Sequence, residues 1–411
     1  MNREKLLNVD FCGLKFPNPF LLSSAPPTTT GEMMEKAYRA GWGGAVTKTL
    51  ALEKEEVINV SPRLHSLAFE SGGDEPRKLY GLENIELITD RPLGIWLDEI
   101  THLVKAFPEH VTIASIMADA SLKEDWQLLA SRCEKAGAMA LELNFSCPHG
   151  MPDRGMGAAI GQHPELVERI TGWVRSAVRI PILVKLTPNI TDISLAAQAA
   201  KKGGADALSA INTVSTLIGI NLDTLEPMPS VRGNSAYGGY SGPAVKPIAL
   251  RCVSEIAKAT GLPISGIGGI SSWKDAAEFI LVGATTLQVC TAVMVSGIEI
   301  ITDLKEGLMN YMEDKGFSSI SQMSGKVLPK LNLVSNLDKS YKVVSSIDTS
   351  VCVKCDLCYK SCRDGGYQAI SLDEQRIPHT DEEKCTGCSL CMQVCPVWDC
   401  VTMKKVEPAA V

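Results

Sequence analysis

The sequence, 411 residues long, has no stretch of about 18 uninterrupted apolar residues, so no membrane-spanning helix is expected. Its first residues, Met1-Asn2-Arg3-Glu4-Lys5-Leu6-Leu7, are charged and lead into no apolar segment, so no secretory signal is expected either. An excess of basic residues is also missing. The 40 Lys and Arg stand against 47 Asp and Glu, a net charge of −7, which argues against a nucleic-acid-binding surface as the main activity. A Gly-x-Gly-x-x-Gly turn between a strand and a helix, with an acidic residue about twenty positions later, is absent too. A nicotinamide nucleotide is therefore not expected on this chain.

What remains is ordinary for a globular protein: 45% hydrophobic and 21% charged residues. A core of this size needs no disulfide staples. Without an export signal the expected location is the cytoplasm. In that reducing setting cysteines serve as metal ligands or catalysts rather than as disulfides. Their placement is uneven: of 14 cysteines, five lie in the first 350 residues and nine between Cys352 and Cys400.

The C-terminal cysteines carry the sharpest signal. Cys352-x2-Cys355-x2-Cys358-x3-Cys362 is followed by Cys385-x2-Cys388-x2-Cys391-x3-Cys395-Pro396. This is the bacterial ferredoxin run written twice, in which the fourth cysteine of each run ligates the other cluster. The expected ligand sets for two [4Fe–4S] clusters are thus Cys352, Cys355, Cys358 and Cys395 for one, and Cys385, Cys388, Cys391 and Cys362 for the other. Paired structural zinc sites are the alternative, but those use CxxC pairs rather than CxxCxxC triplets. Cys400 is left over and reads as a small buried hydrophobe.

Upstream, short apolar runs bounded by small or polar residues alternate with helix-period segments. The runs are 20–24, 45–48, 111–116, 140–144, 182–185, 207–212, 263–267 and 286–290. Runs of this kind suit strands buried on both faces. Eight of them alternating with helices predict an α/β fold, a (β/α)8 TIM barrel, with a doubly wound open sheet as the alternative. The barrel is favoured because Lys48, Asn144, Lys185 and Asn212 recur at strand C-termini, where a barrel builds its site. Two long connections, 51–92 and 213–242, exceed ordinary loop lengths. The expected organisation is a barrel over 1–316, a linker or arm over 317–347, and a C-terminal ferredoxin-like domain over 348–411.

Several residues at the strand ends suggest chemistry. Gly268 and Gly269 follow the seventh strand and precede a helix, the usual phosphate position of a barrel. Lys48 and Lys185 can stand against a flavin, where positive charge favours the reduced anionic ring. Cys147, at the end of the fourth strand and followed by Pro148, can give or take a proton. Asn84, Asn144 and Asn212, the last with Thr213 beside it, offer paired donors and acceptors that suit a ring with alternating N–H and C=O groups.

The segments Asn144-Phe145-Ser146-Cys147-Pro148-His149-Gly150-Met151, Lys185-Leu186-Thr187-Pro188-Asn189, Ala210-Ile211-Asn212-Thr213-Val214 and Gly238-Gly239-Tyr240-Ser241-Gly242 resemble the pyrimidine-binding half of the dihydropyrimidine dehydrogenase family. So does the tandem cysteine module, and the resemblance covers nearly the whole chain. It implies FMN in the barrel, contacted by Ser24, Ala25, Lys48, Thr49, Asn84, Asn144 and Lys185, with Gly242, Gly268, Gly269, Cys290 and Thr291 near the phosphate. It implies a uracil or thymine ring met by Asn84, Glu86, Asn144, Ser146, Asn212 and Thr213. Cys147 would be the general acid at C5, opposite hydride delivery from the flavin to C6. The resemblance also implies electrons relayed through both clusters from a partner subunit that carries FAD and the NAD(P) site, and a homodimer within a heterotetramer. Two alternatives stay open: a class 1 dihydroorotate dehydrogenase, and a non-catalytic electron-transfer subunit.

Overall fold

The structure is a computed structural model, and it describes residues 3–52, 57–69, 78–146 and 155–406. It divides into two compact units, residues 1–330 and 331–411. Among the described residues no helix is long and apolar enough to cross a membrane.

The first unit is a closed parallel barrel. Its strands are β1 (Phe20–Leu22), β2 (Gly44–Val46), β3 (Val111–Ile116), β4 (Ala140–Asn144), β5 (Ile182–Lys185), β6 (Ala207–Ala210), β7 (Ile264–Ile267) and β8 (Thr286–Val289). They follow one another round the ring in chain order. β8 closes on β1 through Leu287 beside Phe20 and Val289 beside Leu22. Every residue of β3 through β8 is buried. That explains why their sequences read as apolar runs rather than as alternating patterns.

Helices α1 (Gly31–Ala40), α2 (Leu93–Ala106), α3 (Lys123–Lys135), α4 (Pro164–Arg175), α5 (Ile193–Lys202), α6 (Lys246–Thr260) and α7 (Trp273–Leu281) separate the strands, and α8 (Ile300–Asp314) follows the last. Local chemistry sets their ends. The Thr30 side chain accepts from Met33 N at the start of α1, and the Asp192 side chain accepts from Ser194 N at the start of α5. Gly41 and Gly261 close α1 and α6 in the left-handed conformation. After α5 the cap residue Gly203 is right-handed and the reversal falls on Gly204, at φ +93.

The two long connections pair with each other. Val214–Thr216, Gly238–Ser241, Lys78–Asn84 and Leu64–Phe69 form a four-stranded antiparallel sheet in that order. Its register sets Gly239 opposite Asn84 and Tyr240 opposite Glu83.

The stretch expected as an arm over 317–347 is not of one kind. Ile320 and Met323 are buried in the barrel unit's core. Lys342–Ile347 is instead a strand of the second unit, antiparallel to Val401–Val406. Only between these do the exposed side chains Leu333, Val334 and Leu337 mark a connecting segment. In the second unit a hairpin pairs Ile370–Leu372 with Pro378–Thr380, and the helix Leu357–Gly365 follows the first cysteine triplet's loop.

Candidate active site and cluster sites

A cavity of about 440 Å3 lies at the C-terminal ends of the barrel strands. Such a volume is within the range of small-molecule and cofactor pockets. Ser24 and Ala25 reach it from the end of β1, Lys48 and Thr49 from β2, Asn144 from β4, and Lys185 from β5. Asn212 and Thr213 follow β6, Gly268 and Gly269 follow β7, and Cys290 and Thr291 follow β8. Asn84, Glu86 and Gly242 arrive from the two long connections. Ser146 is fully buried and supports the wall from behind. Cys147 lies outside the described residues, directly after Ser146.

The carboxamides form one hydrogen-bonded group. Asn144 Nδ2 donates to Thr49 Oγ1 at 2.9 Å, and Ser146 Oγ donates to Asn144 Oδ1 at 3.0 Å. Asn212 Nδ2 donates to Ser146 Oγ at 2.8 Å and lies 3.4 Å from Asn144 Oδ1. Thr213 N donates to Asn212 Oδ1 at 2.8 Å. Asn84 is fixed by the added sheet, its Nδ2 donating to Gly239 O at 3.0 Å. Asn189, quoted above only as part of a motif, holds the loop after β6 by donating to Thr213 O at 3.2 Å and accepting from Ser215 N at 2.9 Å.

Charge at the site is arranged in two pairs. Lys48 Nζ donates to Glu86 Oε2 at 2.8 Å, and Arg63 Nε donates to the other oxygen at 3.1 Å. Lys185 Nζ stands 3.3 Å from Glu142 Oε1. Burial pushes the Cys290 thiol up to about 11, with the charges of Lys185 and Lys48 acting against that rise, so near neutral pH it is an uncharged thiol.

Whether a flavin phosphate fits can be judged from the glycines. Gly269 has φ +76, and a Cβ there would fall 2.8 Å from Gly242 O. Gly242 itself has φ +102, and its Cβ would fall 2.8 Å from Gly81 Cα. The backbones of two loops and of the strand Lys78–Asn84 converge where no side chain fits, which leaves bare backbone for a phosphate to approach. The helix start contributes less than the sequence suggested. Asp275 Oδ2 already accepts from Ser271 N at 3.0 Å and Ser272 N at 2.9 Å, capping α7 from within. Burial works to raise Asp275, but the hydrogen bonds from Lys246 and these N–H groups prevail and hold it below the usual carboxylate range.

Two residues that the sequence reading passed over belong to this site. Gln288 lines the cavity from β8, and Glu142 sits fully buried beneath it. A carboxylate in the otherwise apolar run Ala140-Leu141-Glu142-Leu143 was the available signal for Glu142. Gln288 interrupts Thr286-Leu287-Gln288-Val289 in the same way, but as an uncharged residue it is a weaker signal.

In the second unit the cysteines sort into two small cavities. One is lined by Cys352, Cys355, Cys358 and Cys395, the other by Cys362, Cys385, Cys388 and Cys391. Among the described residues no three His, Cys, Asp or Glu side chains converge as they would on a single ion. Each cavity brings together a Cys-x2-Cys-x2-Cys triplet and the fourth cysteine of the other run, the ligand set of a cubane. The triplet loops curl through left-handed residues at matching places: Lys354 and Asp356 in the first, Gly387 and Ser389 in the second. Backbone N–H groups already point at sulfur, Ala369 N to Cys362 at 3.3 Å and Ser345 N to Cys385 at 3.4 Å. Such bonds tune a cluster's potential. Burial pushes the Cys358 thiol up to about 11; a metal ion binds the thiolate form and so favours loss of that proton. Cys400 is buried as expected, and it also lines the first of these cavities.

Comparison with known proteins agrees with this geometry. A family profile described as dihydroorotate dehydrogenase matches residues 6–312, and one described as a 4Fe-4S dicluster domain matches residues 345–403. The chain is 45% identical over 408 residues to the NAD-dependent dihydropyrimidine dehydrogenase subunit PreA of Escherichia coli (strain K12), covering 98% of this chain and 96% of that one. It is 43% identical over 345 residues to the chloroplastic dihydropyrimidine dehydrogenase (NADP(+)) of Arabidopsis thaliana, covering 82% and 81%. Among solved structures, a dihydroorotate dehydrogenase from Eimeria tenella in complex with ferulenol shares the fold. Its TM-score is 0.65 at 21% identity, over 79% of this chain and 89% of that one.

Proposed function

The chain belongs to the dihydropyrimidine dehydrogenase family, and on that premise we propose that it reversibly reduces uracil or thymine to the 5,6-dihydropyrimidine, fed by a partner subunit that oxidises NAD(P)H. The observation that carries this reading is the carboxamide group at the barrel mouth, where Asn144, Asn212 and Ser146 are hydrogen-bonded to one another beside two lysines. Carboxamides present a donor and an acceptor together, the complement of a ring that alternates N–H and C=O.

A bound FMN supplies two-electron reduction of the ring double bond. Two [4Fe–4S] clusters, held by Cys352, Cys355, Cys358 and Cys395 and by Cys362, Cys385, Cys388 and Cys391, supply one-electron steps between the partner and the barrel. The residues of this chain do the rest. Gly242, Gly268 and Gly269 make room for the phosphate, with Cys290 and Thr291 beside them. Ser24, Ala25, Thr49 and Lys48 line the inner wall, and Lys185 offers positive charge to the reduced ring. Asn84, Glu86, Asn144, Asn212 and Thr213 orient the pyrimidine, and Ser146 fixes the Asn212 amide. Cys147 donates a proton to C5 during reduction and takes one back in the reverse direction. The partner carries FAD and the NAD(P) site, and two copies of each chain make the assembly.

The test is to purify the chain without oxygen and add dihydrouracil. The expected result is a flavin spectrum over an iron–sulfur background, about eight irons per chain, and bleaching of the flavin by dihydrouracil. Bleaching by dihydroorotate alone would transfer the chain to orotate chemistry. A flavin indifferent to every pyrimidine would leave only an electron carrier.

A further inference from the structure

Beneath the cavity lies a buried group that this chemistry leaves unused. Glu142 is on β4, its side chain wholly excluded from solvent. Its Oε2 is saturated from two other strands: Ser209 Oγ on β6 donates at 2.9 Å and Gln288 Nε2 on β8 donates at 2.8 Å. Its Oε1 faces Lys185 Nζ on β5 at 3.3 Å but has no hydrogen-bond partner among the described residues. Lys185 and Gln288 line the cavity, whereas Glu142 and Ser209 do not.

The two lysines at the site are therefore held differently. Lys48 is hydrogen-bonded to Glu86, a carboxylate that is itself in the cavity wall. Lys185 is attracted from below by a carboxylate that two fixed donors hold back from full contact. At this spacing and burial the attraction is strong, and small movements of the ammonium change it steeply. The same ammonium is the charge that the reduced ring would draw upward.

We propose that Glu142 is a positioning residue that restrains the Lys185 ammonium from below, and so sets how far that charge stabilises the reduced flavin over the oxidised one. The inference rests on the flavin reading above. Ser209 and Gln288 act with Glu142: by occupying Oε2 they stop the carboxylate from turning both oxygens to the lysine.

The experiment uses the full chain carrying its clusters, and measures dissociation constants of oxidised and reduced FMN. For Glu142→Gln the ratio is expected to move about tenfold toward the reduced form, equivalent to about 30 mV upward for a two-electron couple. In a Lys185→Met background the same substitution is expected to change the ratio by less than about twofold, because the ammonium through which Glu142 acts is gone. Ser209→Ala frees Oε2 and is expected to move the ratio the opposite way, and it decides the matter should Glu142→Gln fail to fold. An unchanged or lowered potential in folded Glu142→Gln, a shift that persists without Lys185, or an unmoved Ser209→Ala overturns the proposal. A wild-type chain that takes up no flavin sinks the functional reading and this inference together, whereas flavin-loaded variants with an unmoved ratio sink the inference alone.

Discussion

The barrel site and the cluster sites gather their residues in opposite ways. The thiols around the two C-terminal cavities come from the short stretch Cys352 to Cys400, and each cavity takes three of its expected cluster ligands from a single short loop. The barrel cavity draws on residues from Ser23 to Ser296 and on both long connections. A ligand set that is local in sequence can be read from spacing, because a loop of seven residues permits few shapes. A site assembled from many strand ends exists only once the barrel has closed. The contrast also predicts how damage should spread: loss in a cluster loop stays with its cluster, whereas loss in the barrel site touches flavin and substrate together.

The largest expected effect comes from splitting the two units functionally. Cys388→Ser removes a ligand from one cavity only. Iron should fall from about eight to about four per chain, and turnover driven by the proposed NAD(P)H-oxidising partner should be lost. Bleaching of the flavin by dihydrouracil should survive. If that bleaching disappears as well, the two regions are not separable in the way the contrast requires.

Next is Cys147→Ala, which should slow turnover by about 10²–10⁴-fold, the loss expected of a positioned proton donor. Cluster content and flavin reduction by a chemical reductant should be unchanged. Normal turnover would remove Cys147 from its role. The smallest effect tests assembly by the fold alone. Gly269→Ala places a Cβ 2.8 Å from Gly242 O at a left-handed residue. FMN affinity should fall about tenfold or more, roughly the 1–3 kcal/mol of a strained backbone position, while iron content stays constant. An unaltered dissociation constant for FMN would show that the phosphate is not cradled there.

How much of this was legible beforehand varies by element. The barrel strands were readable because burial on both faces leaves continuous apolar runs, as in Ile182–Lys185. The helix Ile300–Asp314 escaped notice. It follows the last strand, where the strand–helix alternation no longer pointed to it. The sheet built from the two long connections was also invisible. Nothing local says that Asn84 lies opposite Gly239, since strand pairing across such a separation depends on where the barrel brings both segments out. For the same reason Asn84 and Glu86 were reached only through resemblance or isolated chemistry, and their positions follow from that sheet. Gln288 gave only a weak sign, because an uncharged glutamine at a strand's third position looks like any polar interruption until the barrel turns it toward Glu142.

By itself the sequence determined the number and order of the barrel strands and the two Cys-x2-Cys-x2-Cys-x3-Cys runs whose thiols line the two C-terminal cavities. Each of these depends on periodicity or spacing within a few residues, which backbone geometry converts directly into structure. Only the tertiary structure decided which strand ends face one cavity, that the two insertions meet over its rim, and that Lys48 and Lys185 are held by different carboxylates. Those relations join residues far apart in the chain. They are settled by closure of the barrel and by the charge and hydrogen-bond partners that closure brings within a few ångströms, which no local pattern encodes.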